Sequence, residues 1–423
     1  MARWGRAVGR FALAAVVVLA ALSGPQPRGG GCPSGDGRGP LTLATGKDLT
    51  RYLRGVLAGW NRDRPRERVR VAEVGTAADE VRQQMRESLR SGDRAYDVLN
   101  IDVAWTAEFA EEGWLAPLDP DGLPLDQLLH NVRRTAVHED RLYAAPYVTN
   151  VGLLFYRKDF LKSAGADPPR TWAELARLAA KLARHYGVDG YAGQFLPYEG
   201  LTVNVLEAVL SAGGPVTGPD GRVTVDSPQA LTALSFLRQG VQEGWISEEA
   251  LGYREEESRQ AFQAGKLVFL RNWPYVYTEA MSPGSPVAGR VGVAPLPGLN
   301  GPGTAVLGGS NMAVNACTRH PRSAADLLAY LLSADVQRQV LTAGGLPPVR
   351  ASVYEDPALK RDYPHLTLVR KAVQGAQAPR SSPRYEQMTL VIAVLARDAL
   401  AGKTSPRAAL ERMERELRRI AGE

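Results

Sequence analysis

Two kinds of side chain in this sequence could bind a small polar ligand. Carboxylate, amide and guanidinium groups donate or accept hydrogen bonds in fixed directions, and large aromatic rings offer flat apolar faces. Glycine lets backbone approach a ligand closely. The polar candidates are Asp48, Asp102, Asn150, Glu199, Glu255, Asn311 and Arg380, the aromatic ones are Trp105, Tyr147, Tyr198, Trp273 and Tyr275, and the glycines are Gly308 and Gly309. Together they suit a ligand that combines hydroxyl groups with flat patches of C–H.

Each candidate also has a structural explanation that the sequence leaves open. Asp102 stands between a predicted strand and a predicted helix, where aspartate often caps the helix. Asn150 lies among apolar residues and could satisfy backbone groups. Glu255 opens a run of three glutamates, which is most often a solvated helix face. Trp273 could be plain core, but an indole beside Pro274 in a polar-flanked loop is costly to expose, so it is the best single candidate.

The acidic residues keep an enzyme hypothesis open. A secreted glycoside hydrolase needs two carboxylates about 5–10 Å apart across the scissile bond, and Asp102, Glu199 and Glu255 could supply them. Other catalytic signatures are incomplete: GKT at 402–404 ends like a phosphate loop, but the first glycine of that motif is absent. The five histidines are scattered along the chain. The sequence therefore predicts no catalytic residue, no cofactor and no metal site.

The N-terminus has the features of an export signal. A basic stretch precedes twelve apolar residues at 11–22, too few to span a bilayer core of about 30 Å. Cleavage near residue 23 and lipidation of Cys32 are two alternative processing routes. We therefore expect residues 1–40 to be a signal peptide and tether. The mature protein would then be secreted, or held as a lipoprotein on the extracellular face of the cell membrane.

Length and composition are those of an ordinary globular protein. A chain of 423 residues predicts two or three domains, and 44% hydrophobic with 23% charged residues excludes a disordered chain. Half of the formal net charge of +6 comes from Arg3, Arg6 and Arg10, so nucleic-acid binding has weak support. Of the two cysteines, Cys317 is expected to be a small buried apolar residue, although a disulfide with Cys32 stays open outside the cytoplasm.

The first part of the chain alternates predicted strands and helices. Strands are predicted at 41–44, 69–74 and 96–101, and helices at 49–62 and 77–91. This β-α-β-α-β order predicts an α/β fold with a mostly parallel sheet. Ligands of such sheets bind beyond the carboxyl ends of the strands, where Asp48 and Asp102 stand.

Residues 143–159 are the stretch around which the rest is organised. An extended segment containing Pro146 leads through the polar pair Thr149-Asn150 into an apolar run at 151–156. A nearly uncharged strand pair with one polar step is a poor solvent-facing edge, so we interpret it as a crossing between two lobes. Beyond it the sequence predicts helices at 172–186, 200–212, 229–243, 255–265, 321–333 and 386–421, the last broken at 402–406, and strands at 266–271, 287–297 and 305–316.

Five motifs stand in a characteristic order. They are YDVLNIDVAWTAEFAEEGWLAPL at 96–118, YAAPYVTNVGLLFYRKD at 143–159, FQAGKLVFLRNWPYVY at 262–277, GGSNMAVN at 308–315 and APRSSPRY at 378–385. Behind an export signal, this series resembles the extracellular solute-binding proteins of ABC importers, in the carbohydrate-binding branch with the maltose- and trehalose-binding proteins.

The resemblance implies a fold, a ligand and a partner. The fold is a two-lobed, periplasmic-binding-protein-like α/β fold of type II with a hinge, one lobe at 41–149 plus 304–350 and the other at 150–303 plus 351–423. A di- or oligosaccharide such as trehalose or maltose would bind in the interlobe cleft through the candidates above, with Arg380 as a sugar-contacting arginine. A monomeric closed form would then dock on ABC permease subunits, or on a receptor if the protein is a ligand sensor.

Overall fold

The protein is described by a computed structural model covering residues 37–76, 78–215, 223–378 and 382–423, with the backbone alone for 48–51. The first part of the chain forms β1 (Leu41–Thr45), α1 (Lys47–Asp63), β2 (Val69–Glu73), α2 (Ala78–Arg90), β3 (Val98–Asp102), α3 (Thr106–Glu111), α4 (His130–Arg133), β4 (Val137–His138), β5 (Arg141–Leu142) and β6 (Ala144–Val151). The predicted β-α-β-α-β order is therefore confirmed.

The middle of the chain adds a second set of strands and helices. These are β7 (Leu153–Arg157), α5 (Lys158–Ser163), α6 (Trp172–Tyr186), β8 (Asp189–Ala192), α7 (Glu199–Ser211), α8 (Pro228–Gln242), α9 (Glu255–Gln263), β9 (Leu267–Asn272), α10 (Tyr275–Ala280) and β10 (Val291–Ala294). Local chemistry fixes the helix ends: α6 begins at a capping box formed by Thr171 and Glu174, and stops at Gly187 with φ 65°.

The last part of the chain contains one strand and six helices within the described residues. They are β11 (Leu307–Val314), α11 (Pro321–Leu331), α12 (Ala334–Gly344), α13 (Pro357–Asp362), α14 (Leu366–Gly375), α15 (Tyr385–Leu400) and α16 (Pro406–Ala421). The break predicted at 402–406 separates α15 from α16.

Two main sheets divide the molecule into two lobes. The first has the strand order β2-β1-β3-β11-β6, in which β1 lies parallel to β2 and β3 while β11 runs antiparallel to β3 and β6. The second has the order β10-β7-β9-β8, with only β8 and β9 parallel within the described pairs. The predicted two-lobed α/β fold is confirmed.

The chain crosses between the sheets at the stretch that the sequence singled out. β6 ends at Val151 in the first sheet and β7 starts at Leu153 in the second, so Gly152 alone separates them. A second crossing connects β10 with β11. A third lies between α14, which packs on β6, and α15, which packs on α7 and α8.

The packing of the last helices bears on the division into lobes. Helix α14 contacts β6 and α4, both in the first lobe, whereas α15 and α16 contact α8 in the second. Assigning 351–375 to the second lobe therefore disagrees with these contacts. Because β6 ends at Val151, we propose that the first lobe comprises 41–151 plus 304–375, and we keep the other boundaries as predicted.

The N-terminal tether is fastened where the structure describes it. Arg38 forms ion pairs with Glu67 and Asp326, and the backbone N–H of Gly39 donates to Ser323 Oγ at 3.1 Å. Residues 37–40, which we expected to belong to a tether, are therefore held on the first lobe. No helix within the described part of the chain is long and apolar enough to cross a membrane.

Cys317 differs from its expected role. It is only half-buried and forms a disulfide, so it is not the small buried apolar residue that we expected. The only other cysteine in the sequence is Cys32, which lies outside the described residues. A cysteine whose sulfur is in a disulfide cannot also be lipidated. For Cys32, a disulfide with Cys317 and lipidation are therefore alternatives.

Candidate functional site

The first lobe contributes the edge where its central strands end. Ser310 in β11 pairs with Asp102 in β3, and Gly308 pairs with Asn150 in β6. All four are partly exposed, as is Gly309, although the rest of β11 and β6 is buried. The strand register therefore brings these side chains and the Gly308 backbone together along one edge, which we call the floor.

Gly309 shapes this floor. Its φ of 127° is a conformation that residues with a side chain rarely adopt, and a Cβ there would overlap the carbonyl oxygen of Val148. The register of β11 against β6 also shifts between Ser310 and Asn311. Glycine is therefore required at 309 for β11 to lie this close to β6.

Asp102 caps a helical turn and is a titratable group of the floor. Its Oδ1 accepts a hydrogen bond of 2.8 Å from the backbone N–H of Ala104, which confirms the capping role. Burial raises its pKa to about 6, and the Ala104 N–H opposes the rise. The cap engages Oδ1 of Asp102, and the carboxyl group stays at the floor.

The second lobe contributes the starts of α7 and α9 and the residues 273–275 that follow β9, which together we call the wall. Glu199 lies in the first turn of α7, where its Oε1 accepts from Tyr385 O–H at 2.5 Å and its Oε2 from Thr389 Oγ1 at 2.8 Å. Burial raises the pKa of Glu199 to about 7, and the negative charge of Asp102 adds to the rise. The two carboxyl groups, one from each lobe, are thus close enough to interact.

A second carboxylate of the wall is held by tyrosine. Tyr198, just before α7, donates its O–H to Glu255 Oε2 at 2.5 Å, and the guanidinium of Arg254 lies 5.3 Å from the Tyr198 ring centroid. Tyr275, at the start of α10, donates to Glu256 Oε1 at 2.7 Å. Burial and the neighbouring glutamates raise the pKa of both tyrosines. Glu255 is therefore part of a hydrogen-bonded aromatic cluster and not only a solvated helix face.

Trp273 joins the wall to the floor. It follows β9, and its backbone N–H donates to Asn272 Oδ1 at 2.7 Å. A Cβ on Gly308 would lie 3.2 Å from Cη2 of the indole and 3.4 Å from Cβ of Asn150. The half-buried ring therefore packs over the glycine of the opposite lobe.

Three predicted contacts lie inside the first lobe instead. Trp105 is 7% exposed and stacks on Phe109, and Tyr147 is 0% exposed and stacks on Tyr52. Asn311 is also 0% exposed, and its amide donates to Thr106 Oγ1 and to the carbonyl oxygen of Thr135, each at 3.0 Å. These three placements correct the sequence-based expectation, because burial in the lobe leaves no face for a ligand.

Three further predictions fall where the structure gives no side chain. Arg380 and Cys32 lie outside the described residues, and Asp48 is described by its backbone alone in the first turn of α1. Their predicted roles, in sugar contact for Asp48 and Arg380 and in lipidation for Cys32, stay predictions.

The structure adds residues that the sequence analysis missed. Tyr385 and Thr389 reach Glu199 from one face of α15, since residues four apart lie on the same side of a helix. Ser310 adds a hydroxyl to the floor. Glu386 also forms ion pairs with Arg82 at 2.6 Å and Arg86 at 3.4 Å in α2, across the two lobes. The i, i+4 spacing of Tyr385 and Thr389 is visible in the sequence, but the sequence does not show that Glu199 on α7 is their partner.

One group of side chains has the composition of a cation site. Ligand atoms of Glu111, His138 and Glu139 lie within 4.8 Å of one another, at the end of α3 and the hairpin of β4 and β5. His138 Nε2 lies 3.1 Å from Glu111 Oε2, a hydrogen bond that accounts for the approach of these two side chains. The group is separate from the floor and the wall, and we assign it no role.

Comparison with known proteins gives one consistent family. The model of the bacterial extracellular solute-binding protein family matches residues 46–338. A curated protein of Deinococcus radiodurans, a probable ABC transporter-binding protein, is 36% identical over 67% of this chain and 70% of its own length.

Solved structures agree. MalE3 of T. maritima with bound maltose is 32% identical with a TM-score of 0.86, over 90% of this chain and 99% of that one. The GacH receptor of Streptomyces glaucescens, solved unliganded and with acarbose, is 26% identical with a TM-score of 0.82, over 92% of this chain and 100% of that one.

Proposed function

Since this chain belongs to the bacterial extracellular solute-binding protein family, we propose that it captures a di- or oligosaccharide between its lobes and delivers it to the membrane permease of an ABC importer. The related MalE3 binds maltose and the related GacH binds acarbose, both carbohydrates with several hydroxyl groups. The ligand class proposed for this chain follows from those relatives and from the side chains at its own floor and wall.

One observation carries the proposal. The indole of Trp273 in the second lobe packs over Gly308 in the first, and the negative charge of Asp102 in the first lobe raises the pKa of Glu199 in the second. A sugar ring needs a flat apolar surface for its C–H groups and directed acceptors for its hydroxyls, and this junction offers both.

Binding at such a junction explains how ligand would drive closure. A ligand shifts a two-state equilibrium only as far as it favours one state, and a sugar that touches both lobes favours the closed one. Gly152 and the segment between β10 and β11 are two of the three crossings about which the lobes would move. The closed form would then dock on the permease, as the family membership suggests, with the protein exported and held outside the membrane.

A panel of ligands tests the proposal directly. Maltose, trehalose, acarbose, mannitol and glucose are added to the purified protein, and thermal unfolding and titration calorimetry are recorded. A ligand at 100 times its Kd stabilises the native state by about 2.7 kcal/mol, which raises the melting temperature. The proposal predicts such a rise with at least one di- or oligosaccharide, and a panel without binding contradicts it.

A secreted glycoside hydrolase is the second candidate, because two carboxyl groups with raised pKa values interact across the cleft. Against it, both oxygens of Glu199 already accept hydrogen bonds from Tyr385 and Thr389, and the named relatives are binding proteins of transporters. Glucose release from maltose or trehalose by the purified protein would favour the hydrolase. A ligand sensor would instead co-purify with a receptor and not with a permease.

A further inference from the structure

A buried ion pair lies directly behind Trp273. Arg271, in β9, is 1% exposed and Glu207, in α7, is 3% exposed. Arg271 Nε donates to Glu207 Oε2 at 2.6 Å and Nη2 donates to Oε1 at 2.7 Å, a bidentate pair. The guanidinium carbon lies 4.2 Å from the ring centroid of Trp273, within the range of a cation–π contact.

A hydrogen-bond network fixes this pair and continues to the backbone of Trp273. Arg271 Nη1 donates to Gln194 Oε1 at 2.7 Å, and Gln194 Nε2 donates to the carbonyl oxygen of Arg271 and to Ser258 Oγ. Asn272 donates to the same hydroxyl and accepts from the N–H of Trp273. The indole is thus held through its ring and through its main chain by one buried network.

The same pair touches two of the three chain segments that cross between the lobes. At the first crossing, a Cβ on Gly152 would overlap Glu207 Oε1 and lie 2.8 Å from Arg271 Nη2. At the second, the N–H of Val306 donates to Glu207 Oε1 at 3.3 Å. One carboxylate oxygen therefore meets the first crossing and accepts a hydrogen bond from the second.

Packing alone gives a poor explanation for a charged pair at this place. Taking two charges out of water is costly, and apolar residues of similar volume often stabilise a core equally well or better. What apolar residues could not supply is a directed tie from the tryptophan ring to the two crossings.

We infer that Arg271 and Glu207 are positioning residues for ligand binding. Arg271 sets the plane of the Trp273 indole against which the sugar stacks. Glu207 ties Arg271 to the crossings at Gly152 and Val306, so that the indole keeps its place while the lobes move. The inference rests on the proposed function, and it names residues that do not themselves touch the ligand.

The first test compares two arginines in similar surroundings. Arg157 is also buried, lies 3.9 Å from the ring centroid of Phe160 and pairs with Asp159, but Phe160 is a core residue away from the floor and the wall. The variants Arg271→Lys and Arg157→Lys keep the charge and lose the planar guanidinium. We expect Arg271→Lys to weaken binding of the sugar found in the panel by about tenfold and Arg157→Lys to leave it unchanged.

A double-mutant cycle separates positioning from a merely structural role. If Arg271 acts through the indole, Arg271→Lys costs no further affinity in a Trp273→Ala background. If Arg271 only stabilises the lobe, its effect on affinity is the same in both backgrounds, and that additive result would overturn the inference.

A second variant covers the case in which Arg271→Lys does not fold. Gly152→Ala places a methyl group against Glu207, whereas Gly55→Ala, on α1, meets nothing within 4 Å. We expect Gly152→Ala to weaken sugar binding and Gly55→Ala to leave it unchanged. Wild-type affinity in folded Gly152→Ala would contradict a role for the contact between Glu207 and the Gly152 crossing. If wild-type protein binds no sugar at all, the proposed function fails; if it binds and the variants match it, only this inference fails.

Discussion

The two halves of the candidate site are built by different means. The floor in the first lobe depends on strand register and on small residues: Gly309 lets β11 lie close to β6, Gly308 leaves room for the Trp273 ring, and Asp102 is placed by the end of β3. The wall in the second lobe depends on side chains at helix starts, which tyrosine and threonine hydroxyls hold in place. Changes to the floor should therefore act through added volume, and changes to the wall through lost contacts.

The largest effect is expected from added volume in the floor. Gly309→Ala puts a residue with a side chain at φ 127° and a Cβ into the carbonyl oxygen of Val148. We expect it to lower the free energy of unfolding by about 3 kcal/mol, measured by urea denaturation. Gly122→Ala, where a Cβ meets nothing within 4 Å, is the control. Equal stability of the two variants would show that the floor tolerates a side chain.

Removing the aromatic surface of the wall comes next. Trp273→Ala deletes the ring that packs over Gly308, and we expect at least a tenfold loss of sugar affinity, about 1.4 kcal/mol or more. Titration calorimetry measures the affinity, and a thermal melt shows whether the variant is folded. Unchanged affinity in folded Trp273→Ala means that the site has been assigned to the wrong residues.

The carboxyl groups at the junction predict how stability depends on pH. Their pKa values in the folded state, about 7 for Glu199 and about 6 for Asp102, lie above the ordinary 4.5 and 3.8. The folded state therefore binds these protons more tightly than the unfolded state does. The stability that the two protonated carboxyl groups contribute is present below pH 4 and is lost as the pH rises towards 7. We expect Glu199→Gln to remove part of this decline between pH 5 and 8 in unliganded protein, as followed by denaturant unfolding. A profile identical to wild type would contradict the raised pKa of Glu199.

The smallest effect is expected at the ion pairs between the lobes. Glu386 is about half exposed where it meets Arg82 and Arg86, and a pair with an exposed partner contributes little, about 1 kcal/mol or less. We expect Glu386→Gln to weaken sugar binding by less than about fivefold, because it removes one contact that favours closure. Glu416→Gln breaks a comparable pair with Arg419 on α16 and should leave binding unchanged. A change beyond tenfold would assign Glu386 a direct part in the site.

The floor and the wall were predictable to different extents. Asp102 and Trp273 were predictable from the sequence, since each stands at the end of a recognisable strand, β3 in the first sheet and β9 in the second, and ligands bind beyond such strand ends. Tyr147 and Trp105 were chosen on residue type and are core residues, because an aromatic ring in an apolar run looks the same whether it lines a cleft or fills a lobe. Asn311 was misplaced for a related reason: the register shift beside it is a property of two paired strands.

The sequence by itself determined the alternation of strands and helices, the crossing at 143–159, the export signal as an expectation and the family resemblance, because these depend on local periodicity and on motifs within short windows. Only the tertiary structure decided that Tyr385 and Thr389 hold Glu199, and that Glu207 meets Arg271, Gly152 and Val306 at one point. Those contacts join residues separated by many tens of positions. Their geometry is fixed by the packing of two lobes, which no short window of sequence contains.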